Sequence, residues 1–205
     1  MQALMMNTQL MISSILKHAE KNFPDVEMVS VTVDNPRHRQ NYKTFAKRSR
    51  QLANVLESLG AKFGDRVGTL AWNDFRHMEL YYAVSGSGMV CHTINPRLFP
   101  EQVAYIINHA EDKILFVDVL VMPLLEALQD HLSKVETIVI LTDKAHMPES
   151  TLPNVLCYEE ILEAQSDNYD WPEFDENTAS GMCYTSGTTG NPKGVVYSHR
   201  STVIH

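Results

Sequence analysis

An α/β fold, with a largely parallel sheet flanked by helices, is the expectation for this sequence. Two observations carry it. Short apolar runs of strand character alternate with segments whose apolar positions recur at helical spacing. Gly, Asn, Asp and Pro punctuate the junctions between them. Alternation of this kind implies right-handed crossovers between parallel neighbours.

From Leu10 the apolar residues Ile12, Ile15, Leu16, Ala19 and Phe23 recur at helical spacing, and Pro24 ends that helix. It reads as a docking helix, with a homodimer contact through this N-terminal arm as the runner-up. Residues 27–33 alternate as a strand and turn at Asp34-Asn35-Pro36. Arg37-His38-Arg39 reads as the solvated tip of a hairpin. Residues 1–43 then form a helix-and-strand arm, and residues 44–205 an incomplete α/β domain. Thr44 caps the next helix, which buries Phe45, Ser49, Leu52, Leu56 and Leu59 and closes at Gly60. Lys43, Lys47, Arg48 and Arg50 at its start read as a solvated face.

Residues 66–72 form a strand after the Gly64-Asp65 turn. Asn73-Asp74 caps a helix carrying Phe75, Met78, Tyr81 and Tyr82, and residues 86–88 stop it. Residues 89–94 are the next strand and Asn95-Pro96 a turn. Pro100 opens a helix with Val103, Ile106, Ile107 and Ala110 inward. Residues 113–117 are a third strand, 119–131 a helix with Pro123 in its first turn, and 135–141 a fourth strand. Residues 142–153 read as an exposed loop, 158–164 as a short helix, and 165–178 as an acidic surface connector. In parallel sheets ligands gather at the carboxyl ends of strands. The turns after Trp72, Ile94 and Tyr184 are therefore candidates to line a site.

Composition narrows the function. The 205 residues suffice for a sizeable core, and their net charge is −8, from 17 basic and 25 acidic residues. That balance disfavours nucleic acid as a partner but allows a nucleotide in a local basic pocket. Cys91, Cys157 and Cys183 are widely spaced in apolar surroundings, which suits buried, reduced thiols in a cytoplasmic protein. No apolar run is long enough to span a membrane; the longest, at residues 114–125, is broken by Asp118 and Pro123. The N-terminus has no basic residue before Lys17 and makes a poor signal peptide. The chain stops just after a helix begins at its end, so it is expected to be the N-terminal part of a longer protein.

The chemistry concentrates in Tyr184-Thr185-Ser186-Gly187-Thr188-Thr189-Gly190-Asn191-Pro192-Lys193-Gly194-Val195. Met182-Cys183-Tyr184 leads in as a strand, and Val195-Val196-Tyr197 leads out as another. The glycines let backbone N–H groups turn toward one point. The hydroxyls add donors and metal ligands, and Lys193 adds a positive charge. Such a loop suits a polyphosphate. A flexible linker or a plain hairpin turn is the competing reading, but the apolar flanks and the density of hydroxyls speak against both.

The pattern is not a Walker A loop, because Gly190 is followed by Asn191-Pro192-Lys193-Gly194 and no hydroxyl follows the lysine. A loop joining strand to strand holds phosphate with its own donors, not mainly with a helix dipole. Gly86-Ser87-Gly88 lacks the third glycine of a dinucleotide loop and forms no Gly-x-Ser-x-Gly elbow. The nine histidines contain no His-Glu-x-x-His. Ser198 reads as the N-cap of the last helix. Arg200 in its first turn opposes the helix dipole and reads either as paired with an anionic partner or as a plain surface arginine. Arg97, after a strand end, reads as structural, holding an acidic residue elsewhere in the fold.

The string from Tyr184 to Val195 resembles the signature loop of the adenylate-forming, or AMP-binding, superfamily. Tyr197-Ser198-His199-Arg200 also fits. Trp72-Asn73, Tyr81-Tyr82-Ala83, His92-Thr93-Ile94-Asn95-Pro96-Arg97-Leu98 and Asn108-His109-Ala110-Glu111-Asp112 extend the resemblance over nearly the whole chain. In that combination it looks most like the medium- and long-chain fatty acid–CoA ligases. The resemblance implies part of the large N-terminal domain of such an enzyme. The implied cofactors are ATP and Mg2+, with CoA as co-substrate, and the implied partner is a medium- or long-chain fatty acid.

It also implies that Thr185, Ser186, Gly187, Thr188, Thr189, Gly190 and Lys193 grip the β- and γ-phosphates in a mobile loop. Thr185 would lie near the magnesium and His199 beside the nucleotide cleft. The Thr-Glu motif, the ribose-binding aspartate, the lysine of the C-terminal domain and most of the acyl pocket are expected beyond His205. The chain alone is therefore not expected to complete adenylation, and it holds no complete catalytic set. Peripheral membrane contact stays open, because fatty acids partition into bilayers. The alternatives are an adenylating enzyme for another acid, a variant-loop phosphotransferase, and a non-catalytic nucleotide-binding or interaction module.

Overall fold

The structure is a computed structural model that describes residues 5–185 and 190–205. The chain opens with α1 (Ile12–Asn22) and a two-stranded antiparallel hairpin, β1 (Glu27–Ser30) and β2 (His38–Asn41). Then come α2 (Tyr42–Ser58), β3 (Arg66–Leu70), α3 (Phe75–Gly86), β4 (Val90–Thr93), α4 (Pro100–Ala110) and β5 (Ile114–Val117). The remainder is α5 (Met122–Leu128), β6 (Thr137–Ile140), β7 (Val155–Cys157), α6 (Tyr158–Glu163), β8 (Ala179–Thr185), β9 (Lys193–Ser198) and α7 (His199–Ile204).

Among the described residues seven strands form one sheet, in the order β7-β6-β5-β3-β4-β8-β9. Every neighbouring pair is parallel except β8 with β9. The expected α/β architecture is what the chain forms. Alternation along the strands builds two cores. Leu115, Val117, Ile138 and Ile140 pack against α4 and α5. Ile114, Phe116, Val139 and Leu141 pack against α2, α3 and α6. Both faces are covered, which is why β5 and β6 read as continuous apolar runs rather than alternating ones.

The strand order also opens a crevice. The connection from β3 to β4 runs through α3 on one face of the sheet. The connection from β4 returns to β5 through α4 on the other face. The chain thus leaves β3 and β4 in opposite directions at their carboxyl ends, and a gap is left between them.

Several local expectations need correction. The cap of α2 is Asn41, whose side chain accepts from Thr44 N–H at 2.9 Å; Thr44 only supplies the donor. β1 stops at Ser30, and Val31 and Val33 lie in solvent. α1 does dock within its own chain, against α2 and α3, but through Ile12, Ser13 and Leu16; Ile15 and Phe23 are exposed. β7 is an edge strand of three residues, too short to show a period. Of the three free cysteines, Cys91 and Cys157 are buried, whereas Cys183 is only half-buried.

The acidic connector is anchored rather than loose. Trp171 is buried, and its ring lies over Gly86 in α3. A Cβ on Gly86 would stand 2.6 Å from Trp171 Cζ3. Replacing a helical glycine by alanine normally stabilises by ~0.5–1 kcal/mol. Here the opposite is expected: Gly86→Ala lowers the unfolding free energy by about 1–3 kcal/mol, because the indole is displaced. Urea unfolding measures it, and a gain in stability would show that Trp171 is not seated there.

The basic start of α2 is the largest departure from expectation. Arg48 is not solvated. Its guanidinium bonds Glu79 at 2.7 and 3.2 Å and Glu159 at 2.9 and 3.1 Å. Arg76 continues the network to Glu159 at 2.8 Å and to Asp34 at 2.7 and 3.0 Å. Tyr158 donates to Glu79 at 2.6 Å. The network joins α2, α3, α6 and the turn after β1. Burial pushes the Glu79 carboxyl up, opposed by the Arg48 charge. At Asp34 burial is outweighed by hydrogen bonds from Arg76 and Thr32 and by the Arg76 charge, which bring that carboxyl down to about 2. Arg50 pairs with Glu20 at 2.8 Å and ties α2 to α1.

Candidate functional site

The carboxyl ends of β3, β4 and β8 meet around one cleft of about 280 Å³. Ala71 and Asn73 come from the turn after β3, Thr93 and Asn95 from the end of β4, and Cys183 and Tyr184 from β8. Of the three turns singled out from the sequence, those after Trp72 and Ile94 line the cleft, and β8 brings Tyr184, the residue before the third, to its edge. Tyr81 and His77 of α3 form another wall. Burial lowers the His77 pKa, which favours a neutral ring. That ring lies between Thr69 Oγ1 at 3.1 Å and the Trp72 carbonyl at 3.2 Å. At the rim the Arg97 guanidinium sits 5.4 Å from the centre of the Trp72 ring. Arg97 is exposed, and its contact is this aromatic ring, with no acidic partner among the described residues.

The hydroxyl- and glycine-rich loop springs from the end of β8 beside this cleft. It joins two antiparallel strands, as its flanks imply. Thr185 and Lys193 stand opposite each other at its neck, with Thr185 Oγ1 3.5 Å from the Lys193 carbonyl. Gly190 takes a φ of +101°, which suits glycine and strains other residues. Thr185, Gly190 and Lys193 are exposed, and Pro192 is buried at the base. Ser186, Gly187, Thr188 and Thr189 lie outside the described residues.

His199 is not at the loop. β9 runs away from the neck, and Ser198 pairs with Ala179 at the amino end of β8. Six residue steps put His199 roughly 19–20 Å beyond the neck. Its ring is fully buried, with Phe174 edge-on at 5.0 Å and Nδ1 3.3 Å from the Ile12 N–H. That placement makes it a clamp between α7 and the start of α1. Arg200 has an anionic partner: Glu176, which also accepts from Leu10 N–H at 2.8 Å.

Burial alone pushes the His199 pKa down to about 4. Nδ1 accepts from Ile12, so the ring proton is on Nε2, and Nε2 has no partner among the described residues. The unfolded chain takes up a proton at this residue below about pH 6.5, and the folded chain does so only near pH 4. Stability contributed here is full above pH 6.5 and lost as pH falls toward 4, on the order of 3 kcal/mol in all. Urea unfolding at a series of pH values, compared with His199→Gln, isolates the contribution. A variant as acid-sensitive as the wild type would remove His199 as the cause.

Sequence reasoning missed a third buried histidine, His92. His92 and Asp112 are both fully buried and bonded at 2.7 Å beneath the loop-bearing strand. No spacing rule joins residues on β4 and before β5; the two strands are brought near each other because both pair in parallel with β3.

Comparison with known proteins agrees with this geometry. A family model described as AMP-binding enzyme matches residues 16–205. The chain is 50% identical over 201 residues to the 3-methylmercaptopropionyl-CoA ligase of Ruegeria lacuscaerulensis, covering 98% of this chain and 37% of that protein. It is 48% identical, with the same coverage, to the medium-chain-fatty-acid–CoA ligase of Ectopseudomonas oleovorans. It is 46% identical to the long-chain-fatty-acid–CoA ligase of Thermus thermophilus, covering 98% of this chain and 36% of that one. The chain thus spans little more than a third of the length of the curated relatives it matches.

Among solved structures, the anthranilate CoA ligase AuaEII in complex with anthranoyl-AMP superposes with a TM-score of 0.79 at 22% identity, over 98% of this chain and 37% of that one. The inhibitor-bound N-terminal domain of FACL13 from Mycobacterium tuberculosis gives 0.72 at 24%, over 94% and 45%. At such identities these two speak for the fold. The relatives are acid–CoA ligases, the fold is shared, and the family match runs through both the cleft and the loop: this chain belongs to the family of AMP-binding enzymes.

Proposed function

We propose that this chain is the ATP-gripping part of a fatty acid–CoA ligase. The observation that carries the reading is the neck of the loop: Thr185 and Lys193 face each other, exposed, at the carboxyl end of β8 beside the cleft. The carboxylate oxygen of the acid attacks the α-phosphorus of ATP, and pyrophosphate leaves. The leaving group gains charge as the bond breaks, so donors and a cation around its β- and γ-phosphates lower the barrier. Lys193, the Thr185 hydroxyl and the backbone of the loop supply them. The thiol of CoA then attacks the acyl adenylate, forming the thioester and releasing AMP.

A magnesium ion would bind with the phosphates and supply charge neutralisation. Magnesium takes few protein ligands and keeps several waters, so one exposed hydroxyl, that of Thr185, fits it. The acid is assigned as a medium- or long-chain fatty acid because two of the relatives carry that name. No helix among the described residues is long and apolar enough to cross a membrane. The free thiols suit the cytoplasm. The isolated 205 residues do not complete the reaction on this reading, and acyl-CoA formed by them alone would overturn that point.

The deciding experiment is carboxylate-dependent ATP–pyrophosphate exchange by the full-length protein, from propionate to palmitate and with 3-methylmercaptopropionate. Exchange that rises with chain length supports the assignment. Exchange with 3-methylmercaptopropionate alone replaces the fatty acid. Release of ADP without exchange replaces the reaction by phosphoryl transfer.

A further inference from the structure

The residue just before the loop has a contact set that the polyphosphate reading leaves without a task. Tyr184 lies on the α4 face of the sheet, packed against that core. Its hydroxyl oxygen is 2.7 Å from His109 Nδ1 in the last turn of α4. Tyr105, one turn earlier, stacks on the His109 ring at 5.2 Å and fixes the imidazole. On its inner side the Tyr184 ring lies 5.3 Å from His92, which the buried bond to Asp112 holds in place. Across the hairpin Tyr184 pairs with Gly194, and a Cβ there would stand 3.3 Å from Tyr184 Cζ.

Both arms of the neck thus bear on one ring. The arm entering the loop carries it, the arm leaving the loop offers a bare glycine to receive it, and α4 holds its hydroxyl. Thr185 and Lys193 are the next residues along the two arms, so the tilt of this ring sets where their side chains emerge. We propose that Tyr184 and His109 form a latch that fixes the neck of the loop to α4, with Tyr184 as a positioning residue for the groups that meet a bound polyphosphate. The inference rests on the polyphosphate reading of the loop. Its physical warrant is the steep dependence of such chemistry on placement, where a shift of about 1 Å in a positioned group costs on the order of 100-fold.

The test is exchange kinetics on the full-length protein. Tyr184→Phe keeps the ring and removes the hydroxyl. His109→Phe keeps the stack on Tyr105 and removes the nitrogen. Each is expected to raise KM for ATP about fivefold, the worth of one neutral hydrogen bond, with KM for the acid and the melting temperature unchanged. The double variant is expected to be no worse than either single one, because both remove the same bond. Gly194→Ala, which crowds the ring, is expected to move KM for ATP in the same direction. An unchanged KM for ATP in Tyr184→Phe, or losses that add in the double variant, would overturn the latch and leave the ligase reading standing. Absence of exchange in the wild type would remove that reading and the latch with it.

Discussion

Arg48→Ala lowers the unfolding free energy by about 3–5 kcal/mol, the usual cost of removing one partner from a buried ion pair. The Arg48 side chain is 18% exposed and that of Glu79 is wholly buried. Without the guanidinium, Glu79 keeps Tyr158 and a long contact from Gln40 at 3.4 Å. Neither supplies a charge, and the carboxylate stays desolvated. Glu159 suffers less, because Arg76 still holds it. The loss should therefore belong mainly to Glu79. Replacing both partners, as Arg48→Met with Glu79→Leu, is expected to recover much of it, since no buried charge is left behind. A urea-unfolding cycle over the two single variants and the double measures this. A single-variant cost below about 1 kcal/mol would place the pair with solvent-screened surface bridges.

Lys193→Ala is expected to reduce acid-dependent pyrophosphate exchange by about 100- to 1000-fold, the range seen when one charge-stabilising donor is removed from a reacting centre. The melting temperature should not move, because the side chain is exposed. This prediction follows from the proposed ligase function. Lys193→Met separates charge from bulk, for it keeps the length of the stem and should be as inactive as alanine. Lys193→Arg keeps the charge but spreads it over a planar fork, and partial activity is expected. A loss under about fivefold in Lys193→Met would show that the positive charge serves something other than the leaving group.

The sequence made some of this legible and hid the rest for identifiable reasons. Val103, Ile106, Ile107 and Ala110 were readable as an inward face because α4 has one covered side and one wet side. α3 is covered on several sides. Phe75 and Leu80 are buried with Arg76, His77 and Glu79, while Tyr81 opens to the cleft. That blurs the period on which an inward face is read. Arg48 looked solvated because its counterions lie 31 and 111 positions away, where no local pattern reaches. At the site, glycine and hydroxyl density marked the loop, and strand ends marked the cleft. The resemblance put His199 beside the nucleotide cleft, and the antiparallel β9 instead carries it to the end away from the neck of the loop, a placement that only the strand pairing reveals. Tyr184 passed as an ordinary strand residue, since its partner His109 is 75 positions away.

The strand order carries a kinetic consequence. β3, β4, β5, β6 and β7 pair with neighbours within about 50 residues, whereas β8 returns to β4 from about 90 residues away. Closing the longer span costs more chain entropy before any contact rewards it. The central strands can therefore assemble first from their own crossovers, and the β8–β9 hairpin joins a sheet already built. Until it arrives, the outer edge of β4 is a row of open backbone donors and acceptors, able to capture a strand from another chain. Docking of the hairpin that carries the loop closes β4 and moves the open edge outward to β9, whose Val195, Val196 and Tyr197 are exposed.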